Sequence, residues 1–198
     1  MYLSKIGQNI RYALLNRKHG VYISKQAFIA KTANLQLKPG GLPLGGQIHI
    51  SANASIMDGA ILAPYGGSIY IGENVFIGPY CVIYGHGGLK IDKNTMIAAH
   101  SVVIPSNHGF SDREKTISSQ PATSIGINIG EDVWIASGVR VLDGISIGKG
   151  CVIGAGAVVN KSLPDYSIAV GVPAKVIGQR GDLQKSSQDK KSDIAYAN

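Results

Sequence analysis

The chain has 198 residues, of which 44% are hydrophobic and 16% are charged, so it is long and apolar enough for one globular domain and is not a disordered polymer. Its formal net charge is +7, and residues 1–57 hold seven Lys or Arg but no Asp or Glu. The sequence contains neither a secretion signal nor a long apolar run, so we expect a cytoplasmic protein that does not span a membrane.

The basic N-terminal segment, residues 1–47, begins with apolar residues at helical spacing. These residues predict a short amphipathic helix within residues 2–17: Leu3, Ile6, Ile10 and Leu14. We expect the segment to pack on or cap the remainder of the fold. Its charge suits either peripheral contact with an anionic membrane surface or a plain solvated face. No nucleic-acid motif accompanies the charge, so we expect no nucleic-acid partner.

A six-residue repeat dominates residues 48–178. Strands of about four residues joined by short corners would turn one aliphatic side chain per hexad into a shared core, and three hexads would complete a triangular coil. The pattern therefore predicts an all-β domain, a parallel β-helix of about five coils. The repeating aliphatic residues are Ile50, Ile56, Leu62, Ile71, Ile77, Ile83, Ile91, Ile97, Val103, Ile129, Ile135, Val141, Ile147, Ile153 and Val159.

Three interruptions break the repeat, at residues 63–70, 84–90 and 104–128. The last interruption is the longest and the most polar, and we predict that it forms an extended loop projecting from the β-helix. Binding and catalytic residues concentrate on such loops.

Two further features complete the chain. Cys81 and Cys151 occupy positions that the repeat reserves for small inward side chains, so we predict buried, reduced thiols. Residues 179–198 lose the repeat and are predicted to form a polar C-terminal tail.

Four segments carry a family resemblance: "IGENVFIGPYCVIYGHGGLKI", "SNHGFSD", "IGEDVWIASGVRVLDGISIG" and "VIGAGAVVNKSLPDYSIAVGVPAKVIG". Together they resemble the hexapeptide-repeat acyltransferases, in particular the acetyl-CoA-dependent sugar O-acetyltransferases of the galactoside, maltose and capsular or exopolysaccharide type. The resemblance implies a left-handed β-helix, acetyl-CoA as donor substrate, a saccharide acceptor, and a homotrimer with active sites between subunits. It does not identify the acceptor.

Acetyl transfer to a hydroxyl group needs a base, and imidazole has a suitable pKa. The resemblance assigns this role to His108, which follows Asn107 at the start of the predicted loop. Asp112, Glu114 or a loop carbonyl are candidates to orient the imidazole ring. His86 is in phase with His108 and is predicted either to bind the acceptor or to have a structural role.

A strip of small residues is the candidate donor groove. Ser137 and Ala155 are 18 residues apart and should stack on adjacent coils beside Gly138 and Gly156, leaving room for an extended pantetheine arm. We predict that Trp134 points outward from a corner, and the resemblance places it near the acyl group. The candidates for the polar and phosphate groups of coenzyme A, or alternatively plain surface residues, are Asn160, Lys161, Lys175 and Arg180.

Several functions compete with an O-acetyltransferase that uses His108 as general base. An N-acetyltransferase acting on an amino sugar or nucleotide-sugar would share the base and the groove. A γ-class carbonic anhydrase would need three zinc-binding histidines, and the spacing of His86, His100 and His108 does not offer them, so we expect no metal. The remaining alternative is a purely structural β-helix.

Overall fold

Residues 12–17, 20–37 and 45–182 are described by the computed structural model of the chain. Across these ranges the backbone winds through three parallel sheets, so that each coil contributes one short strand to each sheet. The three sheets form the sides of a triangular prism, and we name the edges between them the AB, BC and CA corners.

The described residues form six complete coils. Sheet A contains β1 (Val21–Ile23), β4 (Gln47–Ile50), β7 (Ser68–Ile71), β10 (Leu89–Ile91), β13 (Ile127–Ile129) and β16 (Ser146–Ile147). Sheet B contains β2 (Phe28–Ile29), β5 (Ser55–Ile56), β8 (Phe76–Ile77), β11 (Met96–Ile97), β14 (Trp134–Ile135), β17 (Val152–Ile153), β19 (Ser167–Val170) and β20 (Lys175–Gln179). Sheet C contains β3 (Asn34–Leu35), β6 (Ile61–Ala63), β9 (Val82–Tyr84), β12 (Val102–Val103), β15 (Arg140–Val141) and β18 (Val158–Val159).

The core is the predicted column of aliphatic side chains. All fifteen repeat positions are buried, with exposures of 0 to 2%. The small inward side chains between them are also buried, including the free thiols Cys81 and Cys151. Each filled Ile or Val contributes roughly 1.5–3 kcal/mol by its removal from water, so the column accounts for the stacking of coils that have only two to four residues per strand.

The β-helix begins earlier than the repeat pattern predicted. Strands β1, β2 and β3 form a first coil at residues 21–35, which the sequence analysis had assigned to the N-terminal segment. The boundary predicted at residue 48 is therefore one coil too late. The five coils predicted after that boundary are all present.

The predicted N-terminal helix is described only at residues 12–16. There the buried Tyr12 hydroxyl accepts the N–H of Ile29 at 2.7 Å and donates to the Ala27 carbonyl at 3.1 Å. The Asn16 side chain likewise exchanges two hydrogen bonds with the backbone of Ile23. The helix thus docks on the first coil through polar groups that satisfy backbone atoms at its edge.

The opposite end is closed differently. Strand β19 continues sheet B and β20 turns back antiparallel to it. Most residues of the predicted N-terminal helix, and residues 183–198 of the predicted tail, lie outside the described ranges. None of the helices within those ranges is of a length and hydropathy that would cross a bilayer.

Candidate active site

The predicted loop leaves the prism at the CA corner between the fourth and fifth coils. It spans residues 104–126, between the end of β12 and the start of β13, and includes a 3-10 helix at Ile117–Ser119. Strand β12 nevertheless pairs directly with β15 on the next coil. The column therefore closes beneath the loop, and the loop projects from an intact scaffold, as the repeat pattern predicted.

His108 lies on this loop with its side chain exposed. The preceding residue, Asn107, forms an antiparallel bridge with Thr123, and the two backbone hydrogen bonds are both 2.9 Å long. This bridge joins the outgoing and returning segments of the loop immediately beside His108. The bridge thus fixes the backbone next to His108 near the base of the loop.

Neither predicted acidic partner contacts the His108 ring. The Asp112 carboxylate accepts the N–H of Glu114 at 3.0 Å and pairs with Lys115 at 3.0 Å. The Glu114 side chain is exposed. The carboxylate of Asp112 thus stabilises a local turn. Which group orients the imidazole, Asp112, Glu114 or a loop carbonyl, stays a prediction.

Asp143, which the sequence does not single out, anchors the loop by hydrogen bonds. Its carboxylate accepts the N–H groups of Ile125 at 2.9 Å and Gly126 at 3.0 Å, and the Asn107 side-chain amide at 3.4 Å. It therefore contacts both the beginning and the end of the loop from the coil beneath. In the sequence, Asp143 precedes a glycine at a short corner, which is indistinguishable from an ordinary turn aspartate.

His86 lies at the same CA corner, one coil before the loop. Its ring stacks on Tyr65 with a centroid distance of 4.4 Å and an interplanar angle of 11°, and Tyr84 packs beside both. Burial lowers the pKa of His86, while the nearby Asp143 carboxylate acts in the opposite direction. Its Nδ1 is buried and has no hydrogen-bond partner among the described residues. One buried polar atom is therefore left unsatisfied beside the base of the loop.

The small residues form the predicted strip, and it lies at the BC corner. Ser137 and Ala155 are exposed and stack on the fifth and sixth coils, where the Gly156 N–H donates to the Ser137 carbonyl at 2.9 Å. Beside them, Gly138 and Gly156 have φ angles of +71° and +69°. A Cβ atom at Gly156 would meet no heavy atom within 4 Å, whereas one at Gly138 would meet the Arg140 guanidinium at 3.9 Å. Arg140 also donates to the Gly138 carbonyl, so the strip is open over Gly156 and bordered by Arg140 at Gly138.

Trp134 is not at a corner. It lies within β14, between Met96 on one neighbouring strand and Val152 on the other, with its half-buried side chain on the outer face of sheet B. The expectation of an outward-pointing indole near the strip is met, but the predicted corner position is wrong. Ile135 and Ala136 lie between Trp134 and Ser137, the first residue of the strip.

The four candidate coenzyme A residues do not lie together. Lys175 is near the strip, because the turn that precedes it hydrogen-bonds to Val158 on the sixth coil. Asn160 and Lys161 are exposed and follow β18, which puts them at the CA corner with Asp143. Arg180 pairs with Asp132 at 2.7 Å at the AB corner, so the structure separates it from the strip.

The three histidines considered for a zinc site also lie apart. His86 is at the CA corner, His108 is on the loop, and His100 is at the BC corner, stacked on Tyr80 with a centroid distance of 5.4 Å. In the described ranges no three His, Cys, Asp or Glu side chains are grouped as metal ligands would be. This geometry does not favour the carbonic anhydrase alternative.

Comparisons with known proteins agree with this description. Residues 126–161 match the family model "Bacterial transferase hexapeptide (six repeats)". The chain is 30% identical over 200 residues to a protein of Mycobacterium tuberculosis named as an acetyltransferase, Rv3034c, covering 99% of this chain and 63% of the relative. It is 33% identical over 108 residues to WbbJ of Escherichia coli K12, named as a lipopolysaccharide biosynthesis O-acetyl transferase, covering 51% of this chain and 55% of WbbJ. The chain thus spans less than two thirds of either relative.

Solved structures share the fold. AntD, an N-acyltransferase from Bacillus cereus, was solved as its D94N mutant with dTDP and coenzyme A. It superposes with a TM-score of 0.71 at 22% identity, over 89% of this chain and 93% of AntD. A maltose O-acetyltransferase from Clostridium difficile 630 superposes with a TM-score of 0.57 at 25% identity, over 85% of this chain and 74% of that protein. The family model over residues 126–161 agrees with the six-residue repeat, and the solved structures have the same parallel β-helix fold as this chain.

Proposed function

We propose that the chain transfers an acetyl group from acetyl-CoA to a hydroxyl group of a saccharide, with His108 as the general base. The observation that carries the proposal is the anchored loop. His108 carries an exposed imidazole on backbone that is fixed by the Asn107–Thr123 bridge and by hydrogen bonds to the Asp143 carboxylate. A general base must be positioned in this way to reach the proton that it removes. The relatives named as acetyltransferases support the same reaction class.

The donor lies along the BC strip in this proposal. Exposed Ser137 and Ala155, with bare glycines beside them, leave backbone groups accessible to an extended pantetheine arm. Trp134 bounds the strip on the sheet B side, and Lys175 provides a cation at its C-terminal end. Arg180 is tied to Asp132 and is not included. Asn160 and Lys161 take part only from the CA corner of a neighbouring subunit.

The catalytic unit is a homotrimer. His108 and the BC strip lie at different corners of one prism, and the filled aliphatic column leaves no path between them. The outer face of sheet B carries apolar side chains along successive coils, and that of sheet C does so except on the fifth coil, where Arg140 occupies the row. Such apolar rows favour burial against other subunits. These residues are Phe76, Met96, Trp134, Val152 and Ile168 on sheet B, and Ile61, Val82, Val102 and Val158 on sheet C. Contact between subunits would bring one chain's loop to its neighbour's strip.

The acceptor meets the site at the CA corner. The Tyr65, Tyr84 and His86 rings form an aromatic cluster under the loop. Aromatic rings suit the apolar faces of a sugar.

N-acyl transfer to an amino or nucleotide-sugar is the second candidate. The observation behind it is that the chain shares its fold both with AntD, an N-acyltransferase, at a TM-score of 0.71, and with a maltose O-acetyltransferase, at 0.57, so the fold accommodates either reaction. The same base and strip would serve. An acceptor panel that pairs each hydroxy sugar with its amino counterpart distinguishes the two reactions.

The test of the main proposal measures thiol release from acetyl-CoA over a panel of saccharides. We expect His108→Ala to lower kcat by roughly 10²–10⁴-fold while calorimetric binding of coenzyme A persists, and Ala155→Trp to abolish that binding. His49→Ala, at an exposed histidine of sheet A, is the matched control and should retain activity. If His108→Ala keeps more than about a tenth of the activity, the base is another group.

Coexpression of the two inactive variants tests the shared site. Mixed trimers of His108→Ala and Ala155→Trp chains should regain part of the activity, because some interfaces then join an intact loop to an intact strip. Mixed trimers that are verified by mass and remain inactive would place the site within one chain.

A further inference from the structure

The BC corner carries a second column of residues directly beside Ser137 and Ala155. One residue from each of five successive coils adopts the left-handed conformation there: Gly59, Tyr80, His100, Gly138 and Gly156, with φ between 57° and 71°. A hydrogen bond links the N–H of each of the last four to the coil before it, at 2.9 to 3.0 Å. The column is therefore continuous, but its side chains change abruptly between the fourth and fifth coils.

The two halves of the column differ in what fills the surface. Over Gly156 the surface is open, and over Gly138 the nearest side-chain atom to an added Cβ would be a guanidinium nitrogen of Arg140, at 3.9 Å. At Gly59, in contrast, an added Cβ atom would collide with the Tyr80 ring. The His100 ring stacks in turn on Tyr80, with an interplanar angle of 7°. One face of His100 is thus covered, and beyond its other face comes Gly138, which has no side chain to cover it.

The left-handed conformation does not by itself explain the glycines. Tyr80 and His100 hold the same φ region without being glycine, although such residues rarely adopt it. Bulky side chains are therefore compatible with this corner, and their replacement by glycine on the fifth and sixth coils is what creates the open strip. The pair of rings marks the place where that strip ends.

The direction of a donor on the strip follows from the residues at its two ends. Lys175 lies beyond the sixth coil, where a cation suits the phosphates of coenzyme A. The loop with His108 leaves the chain after the fourth coil, so the base acts at that level. An extended donor would thus run from the sixth coil toward the fourth, and its acyl end would approach His100.

We propose that His100, supported by Tyr80, is the end wall of the donor groove and restricts the acyl group to a short chain. The inference rests on the proposed function, because it needs coenzyme A to occupy the strip. His100 is a specificity-determining residue in this proposal and takes no part in proton transfer. Removal of its ring would extend the open strip by one coil.

The test compares His100→Gly with wild type on acetyl-, propionyl- and butyryl-CoA. Glycine suits the φ of +62° at this position, so the fold should be retained. Each methylene group newly accommodated favours binding by about four-fold. We therefore expect the butyryl-to-acetyl ratio of kcat/KM, and the calorimetric affinity for butyryl-CoA, to rise by roughly 15-fold, with acetyl-CoA turnover changed only a few-fold. His49→Ala is the control and should leave the ratio unchanged.

The possible results separate the two proposals. An unchanged butyryl-to-acetyl ratio in a variant that binds coenzyme A and turns over acetyl-CoA overturns the end wall alone. So does a wild-type enzyme that already uses both donors equally. Loss of acetyl-CoA turnover in His100→Gly with retained binding would assign His100 to the chemistry instead. If wild type binds no coenzyme A at all, the proposed function fails, and the inference fails with it.

Discussion

Removal of the Asp143 carboxylate should release the loop that carries His108. The two backbone hydrogen bonds to Ile125 and Gly126 are 2.9 and 3.0 Å long, and hydrogen bonds to a charged group contribute roughly 1.5–3 kcal/mol each. Asp143 is half-exposed, so the low end of that range applies, and water recovers part of it. We expect Asp143→Ala to cost about 2 kcal/mol of loop closure, a roughly 30-fold shift toward the open loop.

Hydrogen exchange of the loop amides measures this shift without any assumption about activity. The amides of residues 107–126 should exchange faster in Asp143→Ala, while those of the aliphatic column remain protected. Asp143→Asn keeps one acceptor oxygen and should have a smaller effect. Asp92→Ala is the control, because Asp92 pairs with Lys90 on another face. If the loop amides of Asp143→Ala exchange as slowly as those of wild type, the carboxylate does not anchor the loop.

Two further predictions concern groups whose pKa is shifted by burial. Burial raises the pKa of both Cys81 and Cys151. A thiol reagent at pH 8 should therefore label neither cysteine in the native protein and both in denaturant. Rapid labelling of either thiol in the native protein would contradict this. Burial lowers the pKa of His86, so the folded state favours its neutral form, and the free energy of unfolding should fall as the pH drops from about 6.5 through the lowered value. His86→Gln should show a smaller loss of thermal stability between pH 7.5 and 5.5, and an equal loss in both proteins would rule out His86 as the cause.

The sequence predicted the core correctly because the repeat encodes it directly. One aliphatic every six residues identifies each inward position without knowledge of the strands. The first coil shows the same spacing at Ile23, Ile29 and Leu35, with Ala27 and Ala33 at the small inward positions. It was missed because residues 36–46 break the phase, and the basic charge of the segment drew the interpretation toward a separate cap.

The site was less predictable because the corners are irregular in length. Corners of different lengths decide which residues share an edge, so Lys161 was grouped with the strip although it lies beside Asp143. The antiparallel return of β20 carries Arg180 back to the AB corner, and no periodicity reveals that reversal. The role of Asp143 depends on its contacts with Ile125 and Asn107. Both partners lie in the loop, where the six-residue repeat is lost and no longer predicts which residues meet.

The direct pairing of β12 with β15 beneath the loop makes the loop an interchangeable part. Its residues form no step of the stacked column, and lengthening a flexible connection adds little closure entropy, about 0.6 kcal/mol for each doubling of its length. A longer, shorter or altered excursion between Val103 and Ile127 would leave the aliphatic stack as it is. Evolution can therefore change the length and residues of this loop without first having to restabilise the scaffold.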